Sequence, residues 1–441
     1  MLLEMRFANF FSIKEEVCID FKAGNIKTVA AKNLADNIFT VNEETLLKVQ
    51  GIYGPNASGK SSIIKAAFFC RQLVIDSFQN NEGVVFSFIP FKFDGYYEKP
   101  SSFFINFITD GIEYEYSFTL TRNQILTEEL YYYPGKRRAK IFTRDESAGT
   151  KKSDIYSFGE GLFIKPLDVA QSTGKTTLFI SRASQMDREI AKKIYNYFRT
   201  ELLIGLPQLS GQYAVDLFHE NKKLIIEALK MADSDITDMN VKVESTPFIA
   251  DTFNITRNGI PLSPNTIKTT VEIINFYTVH KRNPDITFNL EGEESAGTIQ
   301  IFNLLLILLD VCKNGKTLIL DEFDASLHTE LAQFILDLIN ASKSAQLLFT
   351  SHNTNLLNIK KMRRDQILFT NKKEDGSTEV YSLFDFKDFR ENMDAEKCYL
   401  QGRFDAVPYI NSSVATIKNL LEENWWQEKE NQYQERWGLN F

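Results

Sequence analysis

The chain of 441 residues lacks most of the features that sort a protein at first sight. It has only four cysteines, Cys18, Cys70, Cys312 and Cys398, scattered and without a C-x-x-C pair. Neither a disulfide framework nor a cysteine zinc site is expected, and reduced thiols of a cytosolic protein suit them. Net positive charge is also missing: 50 Lys and Arg against 58 Asp and Glu leave −8. That excludes nucleic-acid binding by the chain's overall field, though not by a local patch. No apolar run is long enough for a membrane span. The longest, Ile299 to Cys312, carries Gln300, Asn303 and Asp310 and falls short of the ~20 residues required. At the N-terminus, Met1-Leu2-Leu3-Glu4-Met5-Arg6 meets an acid and a base before a signal-like core can build, so a cytoplasmic protein and no membrane partner are expected. Internal repeats, low-complexity segments and long heptad arrays are absent too. With 43% hydrophobic and 24% charged residues, the composition is that of a globular chain with a sizeable core. Its length suits two or three domains, or one large α/β domain with an insertion.

What is present centres on Gly51-Ile52-Tyr53-Gly54-Pro55-Asn56-Ala57-Ser58-Gly59-Lys60-Ser61-Ser62, which contains G-x-x-x-x-G-K-S from Gly54 to Ser61. The spacing predicts a short apolar strand over Leu46 to Ile52 and a helix over Ser62 to Leu73. A strand entering a Gly-rich turn that opens a helix aims successive backbone N–H groups at one point, which attracts polyphosphate. Lys60 is placed to reach the β- and γ-phosphates of ATP, and the Ser61 hydroxyl to ligate Mg²⁺.

Along the chain, Leu2 to Phe7 and Glu16 to Phe21 alternate as strands around Asn9-Phe10-Phe11-Ser12. Val84 to Phe142 is β-rich, with turns at Gly111, Asn123 and Pro134-Gly135. Asp145 to Asp154 is polar and loop-like. Leu178 to Phe198 and Asp216 to Met231 have helical spacing, so 166–239 is expected to be a helical insertion between an N-terminal lobe, 1–165, and a C-terminal lobe, 240–408. Strands return at Asn240 to Glu244, Val271 to Val279 and Ile286 to Leu290, followed by a long helix from about Gly297 to Val311.

Thr317-Leu318-Ile319-Leu320-Asp321-Glu322 is an apolar strand ending in two carboxylates. Taken alone it is equally a buried strand running into an acidic turn. Beside a phosphate loop, acids at a strand's C-terminal end lie where ligands bind in open α/β sheets. Asp321 would then hold the Mg²⁺ shell and Glu322 would orient or deprotonate the attacking water. Gln346 to Thr350 forms another apolar strand, ending in Ser351-His352-Asn353. His352 is either a loop residue beside good capping groups or a contact to the γ-phosphate or hydrolytic water. Glu293-Glu294-Ser295-Ala296-Gly297-Thr298 opens the long helix; on its own residues Ser295 is a plain N-cap, and the turn's small residues also suit a second anion site.

These elements in this order resemble the ABC-type ATPase heads of repair, chromosome-structure and phage-defence proteins. The resemblance implies a P-loop NTPase of α/β class, an ABC-ATPase head with an N-terminal antiparallel β arm and a helical insertion. It implies that Ser295 and Gly297 belong to a signature turn completing a partner subunit's ATP site, and that Ala325-Ser326-Leu327-His328 is a dimer-contact loop. A homodimer or higher homo-oligomer is thus expected. Further stretches are similar to the RloA/AbiL-type bacterial ATPases associated with restriction loci and abortive infection: Asn9 to Lys14, Pro90-Phe91-Lys92-Phe93, Asp321 to His328, Arg364 to Ile367 and Tyr399 to Phe404. This implies control of a separate effector such as a nuclease, with a RecF- or SMC-like DNA-binding ATPase as the alternative. The signature departs from the transporters' Ser-Gly-Gly-Gln, and no glutamine falls within Val84–Asp94, where the family's glutamine loop belongs. Too little chain follows His352 for a fused nuclease fold with clustered metal-binding carboxylates, and Lys372 to Gly376 suits a hairpin turn. Basic clusters at Lys136-Arg137-Arg138 with Lys140, Lys151-Lys152 and Lys360-Lys361 with Arg363-Arg364 keep nucleic acid as a candidate partner; each also suits solvated surface. The tail, 409–441, holds all three Trp, and Thr416 to Glu430 can form a helix with Ile417, Leu420, Leu421 and Trp425 on one face, packed on its own head or docked on a partner.

Overall fold

The computed structural model describes residues 1–406 apart from 82, 210, 233–234, 253–264, 326 and 391, together with residues 417 and 421. Met1–Ala406 form one compact unit and Val407–Phe441 a second. The expected tail helix lies outside the described residues, save that Ile417 and Leu421 are helical and exposed.

The core of the first unit is a six-stranded sheet in the order Leu202–Ile204, Thr317–Leu320, Gln346–Ser351, Val49–Tyr53, Ile367–Lys372, Thr378–Ser382. Its first five strands run parallel and the last closes an antiparallel hairpin on Ile367–Lys372. The central strands are buried throughout, as expected where helices cover both faces of a parallel sheet. Strand Leu202–Ile204 lies within the segment expected to be purely helical. Three residues are too few to show a period among helices such as Phe179–Gln185, Glu189–Asn196 and Gly211–Ala232.

The β-rich N-terminal part is a seven-stranded antiparallel sheet, ordered Tyr156–Phe158, Ala139–Asp145, Ile125–Tyr132, Ile112–Leu120, Ser101–Thr109, Leu2–Ala8, Val17–Asp20. It shares one hydrophobic core with the parallel sheet: Phe7, Phe103 and Phe118 belong to the same buried cluster as Ile52, Ile63 and Leu348. The helix Lys60–Asp76 supplies that cluster with Ile63, Ala66, Ala67, Cys70 and Val74. A third sheet is built on a long hairpin, Ile236–Thr252 with Asn265–His280, joined by Asn283–Asn289. The segment read as too short for a membrane forms the helix Ala296–Asn314, which among the described residues is long and apolar enough by length and composition to cross one. Its most apolar window is 61% buried within the protein, as in the core helix of a folded domain.

Candidate functional site

Strand Val49–Tyr53 delivers the chain into the phosphate loop, and two glycines are there because nothing larger fits. A Cβ on Gly54 would lie 2.4 Å from Thr370 Oγ1. One on Gly59, which has φ +106°, would lie 1.9 Å from Thr378 Oγ1. The loop is therefore pressed onto the hairpin Ile367–Lys372/Thr378–Ser382. Hydroxyls fasten it there: Ser58 Oγ lies 2.6 Å from Thr370 Oγ1, and Thr378 Oγ1 lies 3.0 Å from Ser58 O and 2.7 Å from Ser12 Oγ. Ser12 in turn donates to Ser62 Oγ at 2.8 Å. Pro55, Asn56 and Ala57 form the crest of the loop, with Ala57 in the left-handed region at φ 62°.

The helix starts at Lys60, two residues before the sequence expectation, so Lys60, Ser61 and Ser62 are its first turn. Lys60 is buried, with Nζ donating to Gly54 O at 2.8 Å and Pro55 O at 3.0 Å. Burial pulls its pKa down to about 8, against the opposing pull of Asp321 and Glu322. A desolvated ammonium whose partners are neutral carbonyls gains by exchanging them for phosphate oxygens.

Strand order brings the rest of the site to this point. Leu320 pairs with Phe349, and Ser351 pairs with Tyr53. The C-terminal ends of three adjacent parallel strands thus carry Asp321-Glu322, His352 and Gly54, the end of a parallel sheet where ligands bind. Thr350 holds the acids in place: its Oγ1 donates to Asp321 Oδ1 at 2.6 Å and accepts from Glu322 N at 2.7 Å, while its carbonyl accepts from Phe323 N at 3.0 Å. Glu322 itself is in the left-handed region at φ 49°, where the chain turns out of the strand, and its side chain is exposed. Burial and Lys60 lower the pKa of His352, with Glu322, Asp324 and Asp321 pulling the other way, so its imidazole is neutral at pH 7. Capping beside it falls to its neighbours: Ser351 Oγ accepts from Asn353 N, and the Asn353 side chain caps Thr354–Leu356.

Ser295 lies apart from this cluster in its local role. It N-caps Ala296–Asn314, its Oγ accepting from Thr298 N at 3.1 Å, as its residues alone suggested. A Cβ on Gly297 would meet only Ser295 Oγ, at 3.7 Å, so this chain's own packing does not require glycine there. Gln300 and Leu304 of the same helix share a cavity of about 390 Å³ with Asp321, Glu322 and Phe68. Ser326 of the expected dimer-contact loop lies outside the described residues; His328 caps the next helix, Thr329–Ala341.

Sequence reasoning missed Thr350, Thr370 and Thr378. Thr350 and Thr370 are hydroxyls at the ends of apolar runs, a signal that exists but is weak. The glycine cradle, the buried Lys60, the Ser61 hydroxyl and the Asp321 carboxylate together fit a Mg²⁺-bound nucleoside triphosphate, though among the described residues no cluster of His, Cys, Asp and Glu would hold a metal unaided.

A family model described as "AAA domain, putative AbiEii toxin, Type IV TA system" matches residues 50–358. No curated protein matches the chain. Among solved structures, the SMC head bound to the C-winged-helix domain of ScpA is 15% identical, covering 86% of this chain and 97% of that one, with a TM-score of 0.40. The SMC head domain from Thermotoga maritima is 14% identical, with 86% and 98% covered and a TM-score of 0.37. The Smc head with an extended coiled coil from Pyrococcus furiosus, bound to the C-terminal domain of ScpA, is 12% identical, with 86% and 96% covered and a TM-score of 0.37.

Proposed function

The chain belongs to this AAA-domain family, and from that premise we propose that it is a cytoplasmic Mg²⁺-dependent ATPase that closes with a second copy over composite ATP sites and governs a separate effector in bacterial anti-phage defence. The observation carrying the proposal is the meeting, at three adjacent strand ends, of a buried Lys60, the Asp321-Glu322 pair and His352.

In this reading the loop amides and Lys60 hold the β- and γ-phosphates, and Ser61 and Asp321 hold Mg²⁺, which offsets phosphate charge when bound. Glu322 accepts the proton of the water that attacks the γ-phosphorus as the bond to the ADP oxygen breaks. His352, uncharged, can donate to the γ-phosphate from one ring nitrogen without altering the site's charge. Thr350 is a positioning residue, since its hydroxyl bonds Asp321 Oδ1 and Glu322 N and acts through them. The signature turn belongs to the facing site, a role supported by the room around Gly297. The family description supports an effector: ATP-driven closure would shift a population of heads toward a form that holds or releases it.

Two substitutions test the reading. Lys60→Ala should abolish ATP turnover and weaken ATP binding. Glu322→Gln should keep binding, lower turnover at least a hundredfold, and accumulate a particle of twice the chain's mass in ATP, seen by light scattering. Turnover within threefold of the parent in Glu322→Gln would remove Glu322 from the mechanism, and an unchanged mass would remove the composite site.

A further inference from the structure

The loop Thr173–Thr177 between the helices Pro166–Ser172 and Phe179–Gln185 walls a cavity of about 760 Å³ that shares no lining residue with the one at the acidic strand ends. Every described residue lining it is polar or glycine, and among them three are cations, Lys152, Lys175 and Arg182, and none is a carboxylate. In a chain of net charge −8 such a concentration of one sign is a local feature that needs an account.

The loop is held rigidly. Lys152 Nζ donates to Thr173 O at 3.0 Å, Asn80 Nδ2 donates to Thr176 O at 2.8 Å, and Thr177 Oγ1 donates to Ser77 O at 3.0 Å. Two cationic groups are left with unused capacity. Among the described residues Lys175 is exposed and forms no ion pair, and Arg182, whose NH2 group donates to Phe78 O at 2.9 Å, has a buried Nε without a partner. Glu146 is engaged by Arg144 at 2.7 Å. Burial lowers the pKa of Lys152, with Glu146 raising it and Arg144 and Lys175 lowering it further, so positive charge is crowded here and an anion would relieve it.

We propose that this cavity binds a small phosphorylated sugar or polyol. Phosphate is the anion that Lys175 and Arg182 together suit, a point charge beside a forked donor. The class follows from the rest of the lining. Exposed amide groups such as Gln171 and Asn123 can pair with ligand hydroxyls, and no described lining residue offers an aromatic face on which a base could stack. The volume lies within the ~300–1,000 Å³ of small-molecule sites. The loop that walls the cavity is bonded to the far end of the phosphate-loop helix, because Ser77, which follows Asp76, accepts from Thr177 and from Leu178 N. Occupancy would stiffen the terminus opposite Lys60.

The test uses the full chain carrying Lys60→Ala, which silences the phosphate loop, titrated with glucose 6-phosphate, AMP, inorganic phosphate and a 5′-phosphorylated single-stranded oligonucleotide by calorimetry and ligand-observed NMR. The expected order places glucose 6-phosphate tightest, with affinity falling at least tenfold in Lys175→Glu and in Arg182→Gln. Lys175 is exposed, so Lys175→Glu should fold and, in a chain that keeps Lys60, retain parental ATPase activity. No saturable glucose 6-phosphate binding, binding unaltered by Lys175→Glu, or tighter binding of AMP or the oligonucleotide would each overturn the proposal. None of these results depends on ATP hydrolysis, so its failure and that of the ATPase reading are separable.

Discussion

At the scale of single residues, the site is governed by how little water reaches Lys60. Its pKa in the free protein is about 8, below the 10.5 of an exposed lysine. The charged form is therefore disfavoured by folding, and the penalty is present below pH 8 and fades as pH rises from 8 toward 10.5. Phosphate reverses this by favouring the ammonium, so its pKa must rise on binding. ATP binding should then take up almost no proton at pH 7 and close to one at pH 9, read from the dependence of the binding enthalpy on the buffer's ionisation heat. Affinity should weaken as pH climbs past 8, by up to tenfold per unit. A Lys60→Met chain that still binds ATP should show no such uptake; the same uptake in both proteins would assign the proton to another group. Thr350 acts at the same scale through contact alone: two hydrogen bonds of its hydroxyl fix Asp321 and Glu322, and in the sequence only its place at the end of an apolar run marks it, weakly, as different from a valine.

At the scale of elements, the helix Ala296–Asn314 separates a local role from a distant one. Ser295 caps it and Gly297 sits in its first turn with open space around it. An aspartate there is compatible with the fold and gains from the helix dipole, by ~0.3–1 kcal/mol at low ionic strength. Gly297→Asp should thus leave the thermal midpoint unchanged or slightly raised. If this turn meets the γ-phosphate of a facing subunit, the same change puts like charges together and should remove cooperative ATP hydrolysis while single-site binding persists. Loss of stability together with activity would mean that the helix start has been disturbed and the signature reading is wrong. The elements also show what could be read in advance. The phosphate loop, the acidic strand end and the strand before His352 were legible because each is a contiguous run whose chemistry is local. The clamp on the loop was not, because Thr370 and Thr378 reach Gly54 and Gly59 only through pairing of Ile367–Lys372 with Val49–Tyr53. Leu202–Ile204 was hidden by its brevity, and the long hairpin strands Ile236–Thr252 and Asn265–His280 were recognised only over their middle or final portions, where apolar alternation is strongest.

At the scale of the whole molecule, the question is whether the antiparallel sheet is an appendage or part of the body that binds nucleotide. One buried group argues for the second. Glu128 of strand Ile125–Tyr132 has no exposure, accepts from Tyr116 OH at 2.8 Å, and accepts the backbone N–H groups of Phe179 and Ile180 at 2.6 and 3.1 Å. Arg144, equally buried, lies 3.8 Å away. Glu128 therefore ties the sheet to the start of a helix that packs against Lys60–Asp76, whose other end carries the phosphate loop. Glu128→Ala would leave Arg144 short of a buried counter-charge and two amides without an acceptor, a loss of ~3–5 kcal/mol. Since Met1–Ala406 form one compact unit in which the two sheets share a buried cluster, the loss should appear as a downward shift of a single calorimetric transition, with saturating ATP still raising the midpoint of that same transition. A new low-temperature transition, insensitive to ATP, would show instead that the antiparallel sheet melts on its own and that the two sheets are independent units.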